Sequence, residues 1–256
     1  MTQAPFSFRD SFRRSGGRAL VFAHRGGSAL APENTIAAFD NGLALGADGL
    51  ELDVHLSSDG VVVVHHDRDL VRTTGLAGAV VDRTADELAE VHVPRLAQVL
   101  ARYPKVPIIV ELKVNTRDMA RAAIDVVRGA GAVARVCFGS FGTRVLETAR
   151  ALEPAIVTSA SREEVRWALY RSWVRWPLRR PAYGGFQVPE WSGRTRVVSR
   201  RFVDAAHRAG LGVQVWTVDT KADARRMLAC GVDALITDRP DLIVKFVNDS
   251  NRLESI

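Results

Sequence analysis

Charged and imidazole side chains cluster at the ends of strand-like runs along this 256-residue chain. His24 and Arg25 close the apolar run 19–23, and Glu51 and Asp53 lie within 49–54. Glu111 and Lys113 end the run 106–112, and His66-Asp67 follows 61–65. Side chains alternate along a strand, so Glu51 and Asp53 share a face, as do Glu111 and Lys113. His55 continues the parity of the first pair and is expected at the rim. Three carboxylates in a small volume disfavour one another's ionisation, and a divalent cation relieves the conflict. An all-oxygen set of Glu51, Asp53 and Glu111, without thiolates or a paired-histidine motif, suits Mg²⁺ or Ca²⁺ rather than zinc. His24 and His66 titrate near neutral pH, so one can take a proton while the other gives one. Arg25 offers a bidentate fork to phosphate oxygens, and Lys113 can neutralise charge that develops in a transition state. Together these residues are equipment for metal-assisted hydrolysis of a phosphate ester. Each string alone is weak, since a Glu-x-Asp on a strand is more often solvated. The joint occurrence at consecutive strand ends carries the reading. His65 precedes His66, and spacing alone leaves open which ring enters the site.

Positioning these groups requires a sheet. Apolar runs at 19–23, 49–54, 106–112, 135–138, 156–159, 183–188, 212–217 and 234–237 alternate with helical patterns at 34–45, 116–129, 143–152, 162–176, 199–209, 221–229 and 240–248. Run 61–65 reads as an extra, hairpin-like strand. Strands apolar on both faces that alternate with helices imply a parallel sheet covered by helices. Eight units in this length predict an α/β fold, a single (β/α)8 TIM barrel. An open doubly wound sheet would concentrate its polar residues at one switch point, and no Gly-x-Gly-x-x-Gly follows the first strand. In a barrel, the inward set at the C-terminal strand ends forms the active site.

The composition, 47% hydrophobic and 25% charged, is that of an ordinary globular chain. A net charge of +6 favours anionic partners, but no nucleic-acid module is recognisable, so a small anion or an anionic lipid surface is expected instead. No apolar run reaches the length of a membrane span, and 1–18 lacks the apolar core of a secretion signal. That stretch, with Arg9, Arg13, Arg14 and Arg18, reads as a solvated tail ahead of one domain at 19–256. The expected location is the cytoplasm, with the inner membrane face as a peripheral option. Cys137 and Cys230 read as free thiols.

The motifs in order, AHRGGSALAPENTIAAF, GADGLELDVHLSSDGVVVVHHD, ELK at 111–113, VWTVD at 215–219 and ITDRPD at 236–241, closely resemble the glycerophosphodiester phosphodiesterase family. The resemblance runs from about Val21 to Ile243. It implies a TIM barrel with a small insertion after the second barrel strand, here roughly 67–92. It also implies His24 and His66 as the catalytic pair, Glu51, Asp53 and Glu111 as metal ligands, Arg25 and Lys113 as phosphate binders, and Trp216 as a wall for glycerol. The reaction so implied is attack by the substrate's own glycerol hydroxyl on phosphorus, followed by opening of the cyclic phosphate by water. Glycerol 3-phosphate and an alcohol are the products. A lysophospholipase D-like or sphingomyelinase D-like activity on the same barrel is the nearest alternative. A non-catalytic phosphate- or lipid-binding barrel is disfavoured, because all the polar site residues are retained.

Several residues lie outside that set. Asn34 is expected to cap the first helix, and Glu33 has a weaker claim to the rim. Gln187 either binds glycerol or fills the barrel through a hydrogen bond, with filling preferred. Asp219 and Asp238 read as cap or turn residues, and His92 and His207 as surface or packing residues. The stretch 162–180 places Trp167, Trp173 and Trp176 among many arginines. Its apolar face is expected to pack on the barrel; the surplus of tryptophan also raises peripheral contact with lipid.

Overall fold

The computed structural model describes residues 7–8, 17–178 and 181–254. Its strands are β1 (Leu20–His24), β2 (Gly49–Leu56), β3 (Val62–Val64), β4 (Ile108–Leu112), β5 (Val136–Gly139), β6 (Val157–Thr158), β7 (Gly185–Pro189), β8 (Trp191–Ser192), β9 (Thr195–Arg196), β10 (Gly212–Trp216) and β11 (Ala234–Thr237). Its helices are α1 (Ile36–Ala44), α2 (Val71–Thr74), α3 (Ala85–Glu90), α4 (Leu96–Arg102), α5 (Arg117–Gly129), α6 (Thr143–Leu152), α7 (Arg162–Trp173), α8 (Arg200–Arg208), α9 (Lys221–Cys230) and α10 (Pro240–Glu254). Helix starts follow local chemistry: the hydroxyls of Thr35, Thr116, Ser161, Ser199 and Thr220 each accept from the amide three residues on.

Eight parallel strands neighbour one another in the order β6-β5-β4-β2-β1-β11-β10-β7. A parallel bridge between Ser159 and Gly185 brings the two ends together, so the sheet curls into a nearly closed barrel. Leu50, Leu52 and Val54 of β2 point outward into the layer between strands and helices, while Glu51 and Asp53 point inward. Below the polar residues, the interior is filled by Phe22, Ile109, Cys137, Val157, Ala234 and Ile236. Phe8 is fully buried against this floor and stacks on Phe22 with ring centroids 6.0 Å apart. Arg18 forms a two-pronged pair with Asp48 at 2.6 and 2.7 Å. Phe8 and Arg18 are therefore structural, contrary to the expected solvated tail. Arg9, Arg13 and Arg14 lie outside the described residues.

β3 pairs antiparallel with β2, as the extra hairpin-like strand requires. The following segment carries α2, a short 3-10 turn at Val80–Asp82 and α3 over a satellite core of Val63, Leu70, Val80, Ala85, Leu88 and Val93. Only then does the second barrel helix, α4, begin. No helix was expected at 96–102, although Leu96, Val99 and Leu100 carry its apolar spacing and are buried. The first helix starts at Ile36 rather than Asn34, and α7 stops at Trp173, short of Trp176. No helix among the described residues is long and apolar enough to cross a membrane.

Candidate active site

Strand register assembles the floor of the site. His24 lies opposite Glu51, and Asp53 opposite Glu111. These four, with Arg25, His66, Lys113, Gln187 and Trp216, line one cavity of about 910 Å³ at the C-terminal strand ends. The residues expected to converge do so.

After His24 the chain takes three consecutive left-handed residues, Arg25 (φ 51), Gly26 (φ 88) and Gly27 (φ 96). Glycine adopts this conformation without steric cost. A Cβ at Gly26 would also lie 2.7 Å from the backbone of Ala38, so the turn can rest on α1 only without a side chain there. The turn lets the Arg25 amide donate to Glu51 Oε2 at 3.1 Å.

Each histidine has a carboxylate behind it. His24 Nδ1 lies 2.6 Å from Asp238 Oδ1, and His66 Nδ1 lies 2.6 Å from Asp67 Oδ1. With Nδ1 carrying the proton to its carboxylate, Nε2 of each ring is left free for chemistry. His24 Nε2 stands 3.7 Å from Glu51. Asp238 was expected to be a turn or cap residue, but it orients the imidazole from 214 positions away. No local sequence signal could have revealed it. Asp219 does not cap α9, whose N-cap is Thr220; its Oδ1 instead accepts from Thr237 Oγ1 and the Asp238 amide, fixing the loop that carries Asp238.

His66, not His65, enters the cavity. His65 is buried, its ring held by the Asp67 carbonyl and Thr73 Oγ1. His55 is also buried and reaches the His66 carbonyl at 3.1 Å, so it steadies the strand end rather than forming the rim. Asp67 is in turn gripped by Arg72 Nε at 2.5 Å, and Arg72 makes two bonds to Glu33, at 2.6 and 2.9 Å. Glu33 also accepts from Arg25 Nη1 at 3.1 Å. The insertion thereby ties His66 to Arg25 through an acid–base chain, and Glu33 has a larger part than expected. Asn34 is not a cap. Its left-handed backbone (φ 59) aims Nδ2 at Asp53 Oδ2, 2.9 Å away.

Asp53 is the best-compensated carboxylate, with Lys113 Nζ at 2.7 Å and Arg25 Nε at 3.3 Å. Burial pushes its pKa up, yet Lys113 and Arg25 outweigh this and hold it below the ordinary value. Glu51 and Glu111 are different. Burial and then the Asp53 charge raise Glu51. Burial pushes Glu111 up to about 8, against the pull of Lys113. His24 loses basicity through burial, but Glu51 and Asp238 more than restore it, so its pKa is raised. His66 is lowered, chiefly by burial, despite Asp53 and Asp67.

Glu111 fits only because β5 offers Gly139 opposite it. A Cβ there would stand 2.7 Å from Glu111 Oε2 and 2.8 Å from Gln187 Oε1. Gln187 donates to Gln214 Oε1 at 3.0 Å, the barrel-filling hydrogen bond that was expected. Among the described residues, no group of three or more His, Cys, Asp or Glu side chains forms a ready-made metal cage. The donor chemistry nevertheless suits a hard cation: Glu51, Asp53 and Glu111 are carboxylates gathered on one cavity, and Glu51 and Glu111 are raised chiefly by burial.

The rest of the cavity wall mixes apolar side chains, Phe141, Val165, Leu169, Tyr170, Trp173 and Val197, with the α7 cations Arg162 and Arg166 and the hydroxyls of Ser140, Ser159, Ser192 and Thr195. The expected packing of the tryptophan face on the barrel is not found. α7 buries Ala168, Leu169 and Ser172, while Trp167, Trp173 and Trp176 are 64%, 52% and 61% exposed. Of the remaining histidines, His207 pairs with Asp233 at 2.9 Å and His92 is exposed, both away from the cavity.

A parallel barrel with this acid–base floor defines a barrel enzyme. The model of the glycerophosphoryl diester phosphodiesterase family matches residues 24–242. The chain belongs to that family and is a phosphoric diester hydrolase. It is 30% identical over 253 residues to a glycerophosphodiester phosphodiesterase of Caldanaerobacter subterraneus, covering 90% of this chain and 98% of that one. A phosphodiesterase of Oleispira antarctica, solved with the product sn-glycerol-3-phosphate, superposes with a TM-score of 0.72 at 25% identity, covering 94% of this chain and 99% of that one. A lysophospholipase D of Rattus norvegicus is 23% identical over 268 residues, covering 89% and 85%.

Proposed function

We propose that this chain hydrolyses glycerophosphodiesters to glycerol 3-phosphate and an alcohol, with His24 and His66 as the acid–base pair. The observation that carries the reading is the pair of histidine–aspartate couples, His24–Asp238 and His66–Asp67, on a cavity that also holds Arg25 and Lys113. One histidine takes the proton of the glycerol 2-hydroxyl as that oxygen attacks phosphorus. The other gives a proton to the departing alcohol oxygen. Water then opens the cyclic phosphate, with the two rings exchanging roles. Arg25 and Lys113 face the phosphoryl oxygens, Trp216 walls the glycerol, and Gln187 holds the barrel floor beneath it.

A divalent cation, Mg²⁺ or Ca²⁺, would be held by Glu51, Asp53 and Glu111. When bound, it supplies positive charge to the phosphoryl oxygens and acidifies the attacking hydroxyl. Glu51 and Glu111 favour this assignment because burial outweighs the cations that face them and keeps both raised, whereas Lys113 and Arg25 hold Asp53 low.

The test is phosphorus NMR of glycerophosphocholine incubated with the protein and Mg²⁺ or Ca²⁺. Conversion to glycerol 3-phosphate is expected, with loss on chelation. An inert protein with either metal, or full turnover by His24→Ala, would refute the proposal.

A further inference from the structure

α7 is amphipathic in an unusual direction. It buries the small or medium side chains of Ala168, Leu169 and Ser172, while its largest, Trp167, Tyr170 and Trp173, are more than half exposed. Trp167 and Tyr170 meet edge-on at 6.3 Å, and Trp176, just beyond the helix, is equally open. Aromatic surface left uncovered over a continuous stretch marks a contact site.

The same stretch is positively charged. Residues 165–189 contain five arginines and no Asp or Glu. Arg166, Arg171 and Arg175 lie in its described part, and among the described residues no carboxylate pairs with any of them. Glu163 and Glu164 belong to the first turn of α7, and Glu164 is held by Arg150 at 2.8 Å. Arg171 sets its guanidinium over the Trp176 ring, 6.0 Å from the centroid. Arg175 has a left-handed backbone (φ 56). The Trp176 amide donates to the Arg171 carbonyl at 2.8 Å, and the Arg175 amide to the Ser172 carbonyl at 3.3 Å. These are the paired bonds of a helix end at which glycine is the favoured residue, so the fold gives no reason for a cation at 175. Across the cavity mouth, the β8–β9 hairpin repeats the pairing, with Trp191 half exposed and Arg196 over its ring at 5.8 Å.

We propose that the outer face of α7 and the turn after it dock the protein on the surface of an anionic lipid bilayer. The tryptophan rings lie at headgroup depth, and Arg166, Arg171 and Arg175 lie against lipid phosphates. Both residue types suit that depth. An indole is apolar with one N–H for the wet side, and an arginine can lay its methylenes on apolar surface while its guanidinium stays among phosphates. Charge selects the occupant. A second copy meeting this face across a twofold axis would set arginine against arginine. A neutral surface would leave the arginines without a counter-charge, whereas an anionic one supplies it along the whole stretch. The contact is peripheral, since the 12 residues of α7 are too few to span a bilayer.

The test is sedimentation of the protein with phosphatidylcholine vesicles, with and without phosphatidylglycerol, at low and high salt. Binding is expected with the anionic vesicles alone, weakening as salt rises. Indole emission should shift to the blue on binding as the rings leave water. Arg175→Gly removes one charge and gives the helix end the residue its backbone favours. It should lower the vesicle partition coefficient about fivefold, the scale of one basic residue at an anionic surface, with little change in melting temperature. The double variant Trp167→Ala, Trp176→Ala should lower it about tenfold or more, the scale of partial burial of two large rings. Neither variant should alter turnover of glycerophosphocholine, because Trp167, Arg175 and Trp176 do not line the cavity. The vesicle assay reads binding alone, so its result stands whether or not the protein hydrolyses that substrate. Equal binding to neutral and anionic vesicles, binding to neither, or an unchanged partition coefficient in either variant would overturn the docking surface. Sedimentation equilibrium showing self-association that Trp176→Ala breaks would also overturn it, and would make the face an interface between copies of this chain.

Discussion

The two sides of the barrel mouth are built on opposite principles. On the β1–β2–β4 side nearly every polar side chain has a partner: His24 with Asp238, His66 with Asp67, Asp53 with Lys113 and Asn34, and Arg25 and Arg72 with Glu33. On the α7 side large apolar side chains stand in the open. The first side fixes geometry, because buried charge is tolerated only when it is matched and hydrogen-bonded. The second leaves aromatic rings about half exposed beside Arg162 and Arg166. Chemistry that moves protons needs the first.

The contrast is open to test from its strongest element downward. His24→Ala and His66→Ala should each lower kcat by about 10²- to 10⁴-fold with unchanged circular dichroism. Near-normal rates in either would move the chemistry off the paired side.

Chelation should come next, with reversible loss of turnover and a telling stability signature. The Glu111 carboxyl has an ordinary value of 4.5 but is pushed up to about 8 in the fold. Between these values unfolding releases a proton, so the metal-free protein should lose stability as pH rises from about 5 to 8. Added Mg²⁺ or Ca²⁺ should counter that loss, and Glu111→Gln should remove both the pH slope and its correction. Melting curves across this range check the sign; a metal-free protein that grows more stable towards pH 8 contradicts it.

Asp238→Asn should act more gently. Asp238 helps to raise His24, so its loss should shift the corresponding limb of the pH–rate profile to lower pH, with a smaller fall in kcat than the histidine variants show. An unmoved profile would reduce Asp238 to a loop residue. The smallest effect belongs to the apolar side: Trp167→Ala and Trp176→Ala should change unfolding free energy by no more than about 0.5 kcal/mol, since both rings are largely exposed. A larger loss in denaturant titration would show that they pack after all.

Much of this was legible in the chain itself. Alternation of apolar strands with helices announced the barrel, and the two-residue spacing of Glu51 with Asp53 and Glu111 with Lys113 announced inward faces. The misses share a cause. Asn34, Asp219 and Asp238 have side chains suited to caps and turns, and local rules place them there. Their actual partners, Asp53, Thr237 and His24, come from other turns of the chain. The α7 tryptophans failed differently. A helical pattern tells which residues share a face, but not whether anything lies against it.

The amino-acid sequence by itself determined which groups stand at the strand ends and on which side of the sheet they point, because pleat and helical period are local properties of the backbone. Only the tertiary structure decided that His24 leans on Asp238, that His66 rather than His65 faces the cavity, and that Gly139 leaves room for Glu111. Those choices depend on strand register and on loops that meet across the barrel. Distances between residues up to 214 positions apart are set by closure of the ring, not by any neighbour in the chain.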